Sequence, residues 1–330
     1  MVINTLIISI IKFVYKFIIY QFIHNMDESL SLCIGMCIFN NKNGVPYILS
    51  NLATIYKSSI FKRLRFVFIY EHHDPRLYAL KADICNFAIT VPMAVVDMIP
   101  NAYKQERVRQ RNIGHARNSF LDYLRNLRSC ADTITFSHFA FMDFNDYACV
   151  GPIDTDVLKD AMQMRDQWDS VSFMREAGYY DAWALSFDPY IHSFFHFERG
   201  WEEVLIKMRT MFDRILVRAI QGGEKLLPVY SAFNGFALYR CDVYLSDEEP
   251  RIRYTDDIQT AYYPRGVLKT QMEMVDSKPD GRINDDCEHR YFHMVSAQSP
   301  HNARIFIFLK NLFKKVPDST TLTYIPRAPV

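Results

Sequence analysis

The chain shows almost no excess charge of either sign: 38 Lys and Arg stand against 37 Asp and Glu, a formal net charge of +1. Nucleic-acid-binding domains usually carry a basic surplus, so a nucleic-acid partner is not expected. No two of the seven cysteines (Cys33, Cys37, Cys85, Cys130, Cys149, Cys241 and Cys287) stand at CxxC spacing. An odd, scattered set makes neither a disulfide framework nor a structural zinc site, and a reducing compartment fits it better. No Asn-x-Ser/Thr sequon occurs, which agrees with a location outside the secretory lumen. Internal repeats and low-complexity linkers are missing too, so residues 26–330 read as one continuous domain.

Apolar residues make up 49% and charged residues 23% of the chain, the proportions of a globular protein with a substantial core. One segment departs from them. Residues 2–23, VINTLIISIIKFVYKFIIYQFI, are nearly all apolar, broken by Lys12 and Lys16. On a helical wheel Thr5, Ser9, Lys12 and Lys16 form one narrow polar stripe. Residues 1–25 therefore read either as a hydrophobic helix that associates with a membrane, its lysines snorkelling, or as an extension upstream of a start at Met26. The single stripe favours the membrane reading. No small-residue cleavage site follows, so the segment is not a cleavable signal peptide. The expected location is the cytoplasm or the cytoplasmic side of a membrane.

From residue 26 onward strand-like and helix-like segments alternate, the pattern of an α/β sheet domain. LSLCIGMCIF (30–39), RFVFIY (65–70) and ITFSHFAFM (134–142) read as buried strands, and residues 46–60 and 103–127 as helices. VSFM (171–174) and YDAWALSF (180–187) read as further strands around Gly178, and PVYSAFNGFALYR (228–240) as a strand or hairpin. Residues 201–219 give the clearest amphipathic helix, residues 245–287 a long polar loop region, and IFIFL (305–309) a late strand.

In an open sheet of parallel strands, ligands bind beyond the carboxyl ends of the strands. FAFMDFNDYACV (139–150) puts Asp143, Asn145 and Asp146 at such an end. Their oxygens are hard ligands suited to Mg²⁺ or Mn²⁺, although a polar turn closing a core strand explains the same residues. Upstream, RNIGHARNSFLDYL (111–124) places Gly114, Arg117 and Asn118 at the expected start of a helix, where amides and a guanidinium make an anion site. Arg107, Arg109 and Arg111 read as a solvated basic face.

The order of strand, turn, helix and strand, then G-x-A-R-N, then an apolar strand ending in a near-match to D-x-D (Asp143-Phe144-Asn145), resembles the nucleotide-diphospho-sugar glycosyltransferases of the GT-A fold. The stretches GYYDAWALSF (178–187), YSAFNGFALYR (230–240) and DDCEHRYFH (285–293) are similar in particular to capsule-associated α-mannosyltransferases of fungi and related viral and bacterial enzymes. The resemblance covers roughly residues 30 to 310. It implies a Rossmann-like mixed sheet flanked by helices, with Mn²⁺ or Mg²⁺ as cofactor. The implied partners are a nucleotide-diphosphate sugar donor and a glycan, protein or lipid acceptor.

Residue by residue, CIFNN (37–41) and IYEHHD (69–74) occupy the nucleoside positions, which nominates Phe39, Asn40 and Glu71, while His72 and His73 receive no role. GHARN (114–118) brings Arg117 and Asn118 to the donor, and MDFND (142–146) brings Asp143, Asn145 and Asp146 to the metal. Asp181 would bond the donor sugar or orient the metal site, or else be a buried strand-end carboxylate. Trp183, Asn234 and Gly235 fall on the sugar and acceptor side, with Tyr179, Tyr180 and Trp201 near it. Glu288 stands where an inverting enzyme of this fold carries its base, with Asp285 and Asp286 as rivals, or would orient substrate in a retaining one. His289 or His293 would complete the metal shell, or else have a surface or packing role, which is the favoured reading for each. Asn145 departs from the pattern, because an amide can ligate but brings no charge. It favours one rival reading, a binding protein of this fold weakened in catalysis. The other rival is a glycoside hydrolase with paired carboxylates, in which the G-x-A-R-N segment has no purpose.

Overall fold

Period-two alternation of large apolar residues assigns each central strand two buried faces. In β1 (Ser31–Cys37), Leu32, Ile34 and Met36 enter one core and Cys33 the opposite one. In β2 (Arg63–Tyr70) the split is Leu64, Phe66 and Phe68 against Val67 and Ile69. Burial on both sides is what parallel strands under helices require. In this computed structural model the described residues are 30–38, 44–71, 77–103, 109–129, 135–191, 201–255, 287–298 and 300–315. Residues 1–25, Phe39, Asn40, His72, His73, Arg107, Asp285 and Asp286 lie outside them. No described helix is long and apolar enough to cross a membrane.

The described strands form one mixed sheet of eight. The remaining strands are β3 (Val95–Pro100), β4 (His138–Met142), β5 (Ser170–Arg175), β6 (Leu226–Pro228), β7 (Phe236–Arg240) and β8 (Ile305–Phe313), and the order is β3-β2-β1-β4-β7-β5-β8-β6. β3, β2, β1 and β4 run parallel, β7 is antiparallel to both β4 and β5, and β8 is parallel to β5. Three helices pack on the first face: α1 (Val45–Lys57), α2 (Leu77–Thr90) and α4 (Thr155–Gln163). α3 (Arg109–Ser129) and α7 (Glu288–Ser296) cover the other, and α5 (Trp201–Gln221) closes a third cluster beside β6 and β8. A four-residue α6 (Cys241–Tyr244) follows β7 directly.

Two close approaches set the layers. A Cβ on Gly35 would lie 2.8 Å from the Phe120 ring, so a side chain there would push α3 off β1. Gly44, at the N-cap of α1, lies under the loop after β4, and its N–H donates to Asp146 Oδ1 at 2.7 Å.

Three sequence expectations change. Residues 180–187 are not a strand: Ala182, Leu185 and Phe187 bury their side chains in the third cluster while the backbone turns. Residues 228–240 are not a hairpin, because β6 pairs with β8 while β7 pairs with β4 and β5. Arg117 and Asn118 sit two turns into α3 rather than at its start, so helix-terminal amides do not form the expected anion site around them.

Candidate active site at the C-terminal edge of the parallel strands

β4 ends at Met142, and Asp143 is the first residue beyond it. Its N–H donates to Gly235 O at 2.7 Å, which extends the β4–β7 pairing by one bond. Gly235 has φ +91°, and a Cβ there would meet Ala148 Cβ at 3.0 Å and Cys149 Sγ at 3.2 Å, so both conformation and space call for glycine. Asn234 is buried and fully engaged, accepting from the Tyr180 N–H at 2.9 Å and donating to Phe173 O at 3.0 Å. The pair therefore brackets Asp143 and Tyr180 from behind.

The centre of the site is Arg117. Its guanidinium lies 5.0 Å from the Phe233 ring, 5.4 Å from Tyr254 and 5.7 Å from Phe141. Nη1 bonds Glu288, and Nη2 reaches Asp143 Oδ1 at 3.5 Å. Burial works against the charge, but Glu288 first, then Tyr254 and Asp143, hold it in place, so the guanidinium titrates higher than usual. The other Asp143 oxygen accepts from the Tyr180 hydroxyl. Burial, followed by the Asp143 charge, raises the Tyr180 phenol well above its ordinary value. Asp143 is the most open of the ion-paired trio, its side chain 20% exposed against 6% for Arg117 and 8% for Glu288.

Asp181 completes the group. Its Oδ1 accepts from the Ala184 N–H at 3.1 Å. Burial, then the charges of Asp143 and Glu288, push its carboxyl up to about 7. Two carboxylates, Glu288 and Asp143, share the Arg117 guanidinium, and among the described residues Asp181 beside them has no cation bonded to it. A carboxyl poised near neutral pH at the mouth of a sheet is suited to proton transfer.

The remaining predicted residues are placed as follows. Glu71 stands just past β2 on the same edge and accepts from Asn101 Nδ2 at 2.8 Å. Asn118 is turned to the backbone of Tyr254, bonding its N–H at 2.9 Å and its carbonyl at 2.8 Å. Trp183 is half-buried and its carbonyl accepts from Arg290 Nη2 at 2.5 Å. The buried Arg290 also bonds Ser186 Oγ, Leu185 O and Ile191 O, which clamps residues 183–191 onto α7. Asn145 Oδ1 accepts from the N–H groups of Ala148 at 2.7 Å and Tyr147 at 3.1 Å, so its amide oxygen caps a turn. His289 stacks on Phe233 at 4.0 Å, and burial with the Arg117 charge holds it neutral. His293 Nδ1 meets Ser231 Oγ at 3.0 Å, and burial first, then Arg117 and Arg290, depress it to about 3.

These contacts bear on the expected metal shell. Asn145 is engaged in its turn, one Asp146 oxygen in the cap of α1, and the two histidines lie inside the α7 packing. No three His, Cys, Asp or Glu side chains among the described residues converge as ligands. The described residues thus form no ready-made ligand set, since the tight turn after β4 engages Asn145 and one Asp146 oxygen, although both ring nitrogens of His289 and Nε2 of His293 are buried without a hydrogen-bond partner among them. The sequence put Tyr180 only near the acceptor side, together with Tyr179, and nothing in YYD tells which of the two hydroxyls bonds Asp143.

The fold and site together define a mixed α/β protein with a carboxylate–guanidinium centre at the C-terminal edge of its parallel strands. No protein-family model matches the chain, and no curated protein sequence matches it. Among solved structures it is similar to the Pyrobaculum calidifontis mannosyltransferase PcManGT in complex with GDP-Man and Mn²⁺. The identity is 15% and the TM-score 0.31, over 44% of this chain and 36% of that one. It is also similar to S. aureus TarS, with 13% identity and a TM-score of 0.42 over 86% of this chain and 36% of that one. For the S. cerevisiae mannosyltransferase Ktr4p in complex with GDP, the values are 12% and 0.29 over 68% and 60%. The chain spans about a third of the length of the first two. All three TM-scores lie below 0.5, a level at which likeness does not define a shared fold.

Proposed function

We propose that the chain is a GT-A-type glycosyltransferase. It would move a sugar from a nucleotide-diphosphate donor to a hydroxyl of a glycan, protein or lipid acceptor. The observation that carries this reading is Arg117 locked between Glu288 and Asp143 beside a protonatable Asp181, beyond the carboxyl ends of β1, β2 and β4. That edge is where an open parallel sheet takes its ligand.

Arg117 acts by positioning, because its guanidinium is buried between the two carboxylates it holds. Asp143, the more open of them, faces the donor. As the acceptor oxygen bonds the anomeric carbon, the bond to the diphosphate oxygen breaks and its electron pair leaves with the nucleotide. The hydroxyl proton passes to Asp181, whose carboxyl near 7 suits a general base. Glu288, tied to Arg117, keeps that base in a negative environment. The Mn²⁺ or Mg²⁺ implied by the resemblance finds no ready-made ligand set among the described residues; bound near Asp143, it would offset the charge that builds on the leaving diphosphate.

Asn145 supports a second reading, a nucleotide-binding protein with weakened catalysis. Thermal shift of the full chain with UDP, GDP, ADP and CDP, each with and without Mn²⁺, followed by assay of nucleotide release from the matching sugar nucleotide, separates the two. The transferase reading expects one nucleotide to raise the Tm, release to follow, and Asp143→Ala to remove both. A shift without release favours the second reading, and no shift with any of the four ends both.

A further inference from the structure

Arg175 is the last residue of β5. β5 is antiparallel to β7, and β7 to β4, so Arg175 and Asp143 stand at the same edge of the sheet. The Arg175 guanidinium lies 5.0 Å from the ring of Tyr180, the tyrosine whose hydroxyl bonds Asp143. Its Nη2 donates to Tyr147 O at 2.9 Å, which ties it to the turn that follows Asp143. Nε is buried without a hydrogen-bond partner, and Nη1 makes no bond among the described residues either. No carboxylate among the described residues pairs with Arg175. Its neighbour Glu176 accepts instead from the Lys315 N–H at 2.6 Å, and Asp143 is engaged by Arg117 and Tyr180. A carbonyl and an aromatic face attract a guanidinium without neutralising it. Arg175 is therefore half-buried yet keeps its full charge and unused donors.

The charge balance of the edge gives this cation a purpose. Arg117 is shared by Glu288 and Asp143, so that centre is negative overall and offers little to an anion. A diphosphate brought beside the open carboxylate of Asp143 meets like charge unless a cation stands close by. Arg175 is such a cation, one tyrosine ring removed from Asp143 and bonded to the same turn. The planar fork of a guanidinium also matches paired phosphate oxygens. We propose that Arg175 is an anion-binding residue of this edge and takes a diphosphate group. That the diphosphate belongs to a nucleotide sugar rests on the transferase reading, whereas the anion site does not. A charge fixed there offsets the negative charge that builds on the diphosphate as it leaves.

Isothermal titration of the full chain with pyrophosphate, a probe that carries no base or sugar, tests the anion site. Arg175→Met keeps the apolar stem beside Tyr180 and removes the charge, while Arg175→Lys keeps a charge without the fork. Pyrophosphate is expected to bind the native chain, and Arg175→Met about tenfold more weakly, with Arg175→Lys between them. Unchanged far-UV and near-UV spectra show that a variant is folded, and Arg175→Gln takes the place of Arg175→Met should that variant fail to fold. No binding to the native chain, or equal affinity in the neutral variant, overturns the proposal. For a nucleotide that raises the Tm, the nucleoside, monophosphate and diphosphate are then compared. The native chain should gain affinity with each phosphate, and the neutral variant should keep the nucleoside affinity while losing most of that gain. A loss shared equally by nucleoside and diphosphate reveals a packing role and also overturns the proposal. Pyrophosphate binding that needs Arg175, with no Tm shift from any of the four nucleotides, upholds the anion site while the transferase reading fails.

Discussion

Asp181 keeps its proton to higher pH than an open aspartate because burial, Asp143 and Glu288 all oppose its charge. The sign of the effect on stability follows. The folded carboxyl titrates at about 7, and the unfolded one at about 4. Between those values the folded chain holds a proton that the unfolded chain has released. The contribution is therefore fully present below about pH 4 and is lost as pH rises towards 7. Asp181→Asn removes the penalty, so the variant should melt a few degrees above the native chain at pH 8 and level with it at pH 4. Melting curves across that range check this, and an offset independent of pH contradicts it. Native turnover should rise with pH through about 7 as the base becomes free to accept a proton. His293, neutral down to about 3, pulls stability the opposite way below pH 6.5, which is why the variant comparison is needed rather than the native curve alone.

Among the elements, β1 and α3 meet through a single missing side chain. Gly35→Ala would place a methyl group 2.8 Å from the Phe120 ring, backed by the Phe139 and Phe141 rings. Overpacking of this kind costs about 1–3 kcal/mol. Urea unfolding should show that loss, and Phe120→Leu should recover part of it in the double variant although it is destabilising alone. If the two effects simply add, the contact is not what spaces the layers.

The same elements show what a sequence discloses. β1, β2, β4 and α5 were legible because their apolar residues keep a strict period over several positions, and Asp143 was legible because it ends such a run. Residues 180–187 were not, since Ala182, Leu185 and Phe187 fill the core from a turning backbone held by Arg290, a contact 99 to 107 residues away in sequence. Asn145 and Asp146 look like metal ligands in one dimension. Only the folded chain brings Gly44 N–H to Asp146 and folds the amides of Tyr147 and Ala148 back onto Asn145. His289 and His293 follow the same logic, because their spacing of four puts both on the face of α7 that packs against Phe233 and Tyr239.

For the molecule as a whole, the sheet divides at β4 and β7 into a parallel half and a mixed half. β1 and β4 are central and buried on both faces, whereas β3 and the three-residue β6 stand at the edges. Amide hydrogen exchange should therefore be slowest in β1 and β4 and fastest in β3 and β6. Protection that is equal along the sheet would show that the two halves do not differ in local opening. The candidate site lies against the protected strands, which gives Asp143 a rigid base.

The Arg117–Glu288 pair spans 171 residues of sequence, and this sets an order of events on the ribosome. At roughly 5–20 residues per second, Arg117 emerges about ten to thirty seconds before the carboxylate that neutralises it. During that interval α3 can dock on β1 only by enclosing a cation whose principal counter-charge has not yet been synthesised. A nascent chain stopped short of residue 287 would carry β1 to β4 and the Phe120 contact but would have to keep Arg117 solvated. The edge that carries the candidate site would therefore be completed only when α7 arrives, well after the strands beneath it have been made.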